Sequence, residues 1–249
     1  MSAVTILFLL VAGLLAGFIN TLAGGGSLLT LPALIFAGLP SPIANATNRV
    51  GVLLQNVVAS VQFYRKKQLD IREALWLGLP ALLGAILGTF LAVDIDRVLF
   101  DRILGAVLIL ILITLFLKPS MWIEQKKRNL PLWLQVPIFF VIGIYGGFIQ
   151  AGVGFLLILA LAGAIGHELV KSNALKVAIV LLFTGVSLLI FALSGKVVWI
   201  YGFILSLGNM TGAYFGVRFA VKGGAKQVRW VVVGAVLISS LKLFGIIQL

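Results

Sequence analysis

Residues 16–34 read AGFINTLAGGGSLLTLPAL: three consecutive glycines, Gly24, Gly25 and Gly26, set in the middle of an apolar run that extends over 4–37. As one straight helix such a run of about 33 residues would be about 50 Å long, against a bilayer core of about 30 Å. It has to break or fold back, and glycine, lacking a Cβ, has the backbone freedom a sharp reversal needs. A second run of the same excess length covers 131–163 and carries its own cluster, Gly152-Val153-Gly154. Each long run is therefore expected to be a re-entrant hairpin.

The rest of the chain fits that setting. Of 249 residues, 61% are hydrophobic and only 10% charged, where a soluble domain has roughly a quarter charged. Shorter apolar runs cover 43–64, 73–93, 98–117, 170–193, 197–221 and 228–249, which predicts a multi-pass membrane protein. The first 48 residues contain no Lys or Arg, so the basic start of a signal peptide is missing and the N-terminus is read as retained structure. With no Cys, disulfides and thiolate metal sites are excluded; one His gives zinc chemistry little support, and no cofactor is expected. The net charge of +12 would suggest nucleic acid in a soluble protein. Here the cations lie between apolar runs, where they set topology and meet lipid headgroups, so the expected partners are the bilayer and a small ligand and not nucleic acid.

Three connections hold 12 of the 19 basic residues and are assigned to the cytoplasm: Arg65, Lys66, Lys67 and Arg72; Lys118, Lys126, Lys127 and Arg128; Arg218, Lys222, Lys226 and Arg229. The connection with Asp94, Asp96 and Asp101, and the one with Lys196 alone, are assigned outside. These signs agree only if the run over 131–163 crosses an even number of times, as a hairpin does. The halves also repeat. At an offset of 128, seven of the 17 residues in 77–93 are identical to those in 205–221, and Gly24, Gly26, Asn45 and Ala46 meet Gly152, Gly154, Asn173 and Ala174. At 130, Gly13, Gly17, Phe18 and Ile19 meet Gly143, Gly147, Phe148 and Ile149. One hairpin plus three helices per copy is an odd number of crossings, so the second copy enters upside down. The prediction is an all-α single membrane domain over 1–249, built of two inverted repeats, 1–118 and 131–249, in the pattern of secondary transporters with their site at the broken helices.

Candidate site residues cluster at those breaks. A helix restarting after a break offers free N–H groups and the positive end of its dipole, an anion site. Asn20, Thr21, Gly24, Gly25, Gly26 and Ser27 frame the first break; Gln150, Gly152 and Gly154 frame the second. The following helices open with Thr47, Asn48 and Arg49, and with Asn173 and Lys176, a polar start that is costly in a span unless it meets water, a partner or a ligand. Arg49 and Lys176, 127 apart, supply one cation per copy and favour an anionic ligand. The competing structural readings are glycines for close packing, amides capping freed backbone groups, and cations snorkelling at helix ends. Gln55 and Asn56 read as pathway lining or interhelical bonds, and His167 as paired with Glu168 in a loop. None of the seven acidic residues lies mid-span, so a carboxylate proton relay or sodium cage has little support. The absence of a buried acid, base, nucleophile or metal cluster argues against an enzyme.

The stretch quoted first, followed by Gly38-Leu39-Pro40 and Ala46-Thr47-Asn48-Arg49, resembles the opening of the TauE/SafE family. The resemblance implies a multi-helix exporter of sulfite or organosulfur anions in the bacterial inner membrane, with Gly24, Gly25, Gly26, Pro32, Thr47, Asn48 and Arg49 as its signature. Many relatives carry an acidic residue where Asn20 stands and Lys where Arg49 stands, and the first departure weakens proton coupling there. The expected function is alternating-access transport of a small anion, sulfite or a sulfur-containing organic anion. A channel-like passive anion pore is the alternative, because re-entrant pairs with facing glycines also build pores. Oligomeric state and direction of transport are not fixed by the sequence.

Overall fold

The computed structural model describes the backbone of residues 1–117 and 130–243, and the side chains of 1–107 and 130–222. The basic set Lys118–Arg128, Trp122 and Glu124, and the side chains of Lys226, Arg229 and Trp230, lie outside the described residues. The described chain is all helical: α1 Ala3–Ala23, α2 Ser27–Phe36, α3 Ser41–Arg65, α4 Ile71–Val93, α5 Arg97–Leu117, α6 Leu132–Phe148, α7 Val153–Ile158 running into a π-helical segment Leu159–Ile165, α8 Leu169–Leu193 and α9 Trp199–Leu243. Helices α1, α4 and α8 are long and apolar enough to cross a membrane.

Both long runs break at the glycines. Helix α1 ends in Gly24, whose φ of 86° is the left-handed conformation that closes a helix, with its N–H on Asn20 O at 2.9 Å. The chain restarts at Ser27, and α2 has 10 residues, about 15 Å, half of a bilayer core. In the second run α6 ends at Phe148, Ile149 is extended, and Gly152 at φ 71° turns the chain into α7.

Packing across the halves is reciprocal. Helix α1 lies along α9 and α6 along α4, each pair parallel and close enough that backbones touch at glycine. A Cβ on Gly212 would stand 2.0 Å from Leu14 O, and one on Gly84 2.0 Å from Phe140 O. Small residues four apart allow this approach, which sustains helix association where lipid removes the hydrophobic drive. The contacts also correct the repeat register. With α4 and α9 matched at 128, their partners match at 126, Leu14 with Phe140 and Phe18 with Ile144, and not at 130. Gly13/Gly17 and Gly143/Gly147 are each four apart, so the ladder matches itself again after sliding one helical turn.

The connections gather at two ends. At one, Tyr201 Oη donates to Ala37 O (3.4 Å), Val198 N–H to Thr47 Oγ1 (3.0 Å) and Ser41 Oγ to Asp101. At the other, Glu73 meets His167 Nε2 at 2.5 Å and Lys171 Nζ at 2.6 Å, so His167 pairs with Glu73 across the bundle and not with its neighbour Glu168. Leu132, Gln135 and Ile165 line one pocket there with Asp70 and Trp76. Each hairpin thus returns to the end from which it starts. Helix α9 is continuous through Arg218–Arg229, where the sequence predicts a connection: no proline interrupts it and its glycines are tolerated within a helix. The cysteine-free chain permits a direct test of sidedness. Gln68→Cys is expected to resist impermeant thiol reagents in intact cells and Lys196→Cys to react; the reverse pattern would invert the assignment.

Candidate functional site

The two breaks meet at the centre. A Cβ on Gly24 would lie 2.3 Å from the carbonyl carbon of Gly154, and one on Gly154 2.3 Å from Gly24 Cα. Beside this crossing lies a cavity of about 10 Å³, room for roughly one water. It is lined by Asn20, Ser27, Asn56, Gln150 and Lys176, with Val52, Val153, Gly154 and Val180 between them. Both halves contribute: Val52 and Val180 match at 128, and Asn20 and Gln150 stand on either side of the crossing, one before each break. The polar residues are deeply enclosed, Asn20 at 9% exposure and Gln150 and Lys176 at 1%.

The two cations occupy reciprocal positions. Lys176, on α8, donates to Asn20 O (2.6 Å), Thr21 O (3.1 Å) and Asn173 Oδ1 (2.6 Å). Arg49, on α3, donates through its two terminal nitrogens to Gly146 O (3.1 Å) and Gly147 O (2.6 Å), and its guanidinium lies 4.9 Å from the centre of the Phe191 ring. The last carbonyls of a helix have no partner within it and carry the negative end of the dipole. Each cation therefore caps the broken helix of the opposite half. The end of α6 is satisfied throughout: Asn45 Nδ2 donates to Phe148 O at 2.9 Å, and Thr89 Oγ1, which also bonds Ser187 Oγ, lies 3.2 Å from Gly147 O.

The sequence candidates divide accordingly. Asn20, Ser27, Gln150, Gly154 and Lys176 come together in the cavity. Asn48 Nδ2 reaches Ser27 Oγ at 3.3 Å, Asn173 holds Lys176, and Asn20 Oδ1 accepts from Gly26 N–H at 3.3 Å, so these support the cavity lining. Thr21 gives its carbonyl to Lys176 while its hydroxyl returns to Gly17 O. Gly25 packs on the Phe155 ring and Gly152 makes the turn. Thr47 sits at the bundle end on Val198, and Arg49 is fully buried on α6 away from the cavity lining. Thr184, which accepts from Gln150 Nε2 at 2.7 Å, was not singled out from the sequence. Its match with Asn56 at 128, both polar in apolar spans, was the available signal. Among the described residues no Asp or Glu is buried.

The family described as Sulfite exporter TauE/SafE matches residues 9–243. A probable membrane transporter protein of Haemophilus influenzae is 32% identical, over 89% of this chain and 87% of its own length. The probable membrane transporter protein YfcA of Escherichia coli K12 is 30% identical, over 92% of this chain and 86% of its own. No solved structure matches the chain.

Proposed function

This chain belongs to the TauE/SafE family and is a multi-pass membrane transporter, and from that premise we propose that it carries a small anion, sulfite or another sulfur-containing or organic anion, across the bacterial cytoplasmic membrane by alternating access. The observation that carries the proposal is the enclosed polar cavity at the crossing of the two broken helices, with Lys176 on its wall. Charge supplies the sign of the ligand. Two buried cations face two helix C-termini worth roughly half a negative charge each, which leaves about one positive charge uncompensated. A buried charge without a counter-charge is costly. A monoanion offsets it, and no carboxylate among the described buried residues does.

In this reading Lys176 faces the anion with Ser27, at the start of α2, and with Asn20, Asn56 and Gln150. Arg49 acts at one remove by holding α6. The hairpins move as alternate gates, and because the cavity is closed around a volume too small for sulfite, binding requires one gate to open. Enclosure favours a carrier over a passive pore. The same reading makes the membrane orientation of the two halves inverted.

The test is thermal stabilisation of the purified protein by sulfite, thiosulfate, sulfoacetate, taurine and acetate, followed by flux of the best binder into vesicles. A ligand at 100 times its Kd adds about 2.7 kcal/mol of stability. Selective stabilisation by a sulfur anion, with saturable and countertransport-sensitive flux, is the expected outcome. Stabilisation by cations alone would overturn the anion reading, and large single-channel currents would replace the carrier with a pore.

A further inference from the structure

We infer that the anion taken by the central cavity brings a hydrogen-bond donor of its own, and that Gln150 is the residue that selects for it. The inference rests on the anion-transport reading and adds to it the chemistry of the ligand beyond its charge.

The Lys176 ammonium has three N–H groups and three acceptors, Asn20 O, Thr21 O and Asn173 Oδ1. It supplies attraction to an anion while its donors are engaged with the protein. Asn56 Nδ2 donates to Val52 O at 2.8 Å. Asn20 Oδ1 accepts the Gly26 N–H. Gln150 differs: its Nε2 is held by Thr184 Oγ1 at 2.7 Å, it is 1% exposed, and its Oε1 has no donor among the described residues. Gln150, a wall residue of the cavity, therefore holds an unmet buried carbonyl oxygen beside a site of positive charge.

A buried acceptor left unpaired carries its full desolvation cost, so a site of this kind rejects an analogue that lacks the donor far more strongly than it distinguishes two apolar groups. The fitting ligands are monoprotonated oxyanions, such as hydrogen sulfite, and sulfonates or carboxylates with an O–H or N–H a bond or two from the anionic group. The single negative charge matches the uncompensated charge of the core.

The experiment compares 2-hydroxyethanesulfonate with 1-propanesulfonate by calorimetric titration of the purified full chain. The two have the same charge and the same number of heavy atoms, and differ by a hydroxyl against a methyl. The wild-type protein is expected to bind the hydroxyl anion about tenfold more tightly or better, on the scale of one unmet buried hydrogen bond. In Gln150→Met the ratio is expected to fall to about two or less. Thr184→Val, which keeps Gln150 but removes its tether, is expected to lower the ratio too and stands if the first variant does not fold. Equal binding of both anions by the wild type overturns the inference and leaves the anion reading intact. A ratio unchanged in Gln150→Met also overturns it. Binding of neither anion, nor of any anion in the stabilisation panel, overturns both.

Discussion

Gly154→Ala is expected to abolish transport and to destabilise the protein by about 3 kcal/mol or more, at the upper end of what overpacking does. Gly154 is not among the positive-φ glycines, so the added methyl brings no backbone strain of its own. The effect comes from what the methyl meets: Gly24 Cα at 2.3 Å, its carbonyl oxygen at 2.6 Å and its carbonyl carbon at 2.9 Å, all backbone. Neither break can give way, because Gly24 closes α1 and Gly154 lies in the first turn of α7. Gly24→Ala adds strain at φ 86° to a methyl 2.3 Å from the Gly154 carbonyl carbon, and is expected to be at least as severe. Gly105→Ala is the control. Nothing lies within 4 Å of its added Cβ, and it sits inside α5, where alanine is preferred by about 0.8–1 kcal/mol. Thermal unfolding in detergent with flux in vesicles checks all three. A Gly154→Ala protein with wild-type melting temperature and flux would mean that the two breaks do not touch in the membrane.

Lys176→Gln is expected to weaken anion binding by more than about 100-fold through the lost charge, since its three N–H groups are engaged with the protein. Arg49→Gln is expected to lower stability through the freed carbonyls of Gly146 and Gly147 and to weaken anion binding less than Lys176→Gln does, since it removes a charge at a distance and no group from the cavity wall. Titration of sulfite into both variants, alongside their melting temperatures, separates the roles. Equal losses of affinity would return Arg49 to the binding site, and an unchanged Lys176→Gln would remove Lys176 from it.

How far the sequence could be read depended on what kind of signal each feature leaves. The breaks were legible because length and glycine point the same way: 33 apolar residues do not fit one span, and Gly24 and Gly152 are where a left-handed backbone is needed. The cavity polar groups were legible for a related reason, since Asn20, Ser27, Gln150 and Lys176 are conspicuous in apolar surroundings. Register was not legible, because glycines four apart repeat after one helical turn and cannot distinguish 126 from 130. The separation of Arg49 from Lys176 was hidden as well. Both are single cations at matched helix starts, and only the positions of the opposing carbonyls show that one borders the cavity and the other is spent on α6. His167 was assigned to its sequence neighbour because nothing local reveals Glu73, which is 94 residues away.

The exchange of caps between the halves has a consequence for synthesis. The Lys176 contact with Asn20 spans 156 residues. At 5–20 residues per second the ribosome needs roughly 10–30 s to cover that interval. During that time the first hairpin is already made, while Thr21 O at its broken end has to find another partner: lipid headgroup, water or insertion machinery. The nascent first half is thus expected to sit near the membrane surface, with its hairpin drawn into the bilayer only once α8 arrives.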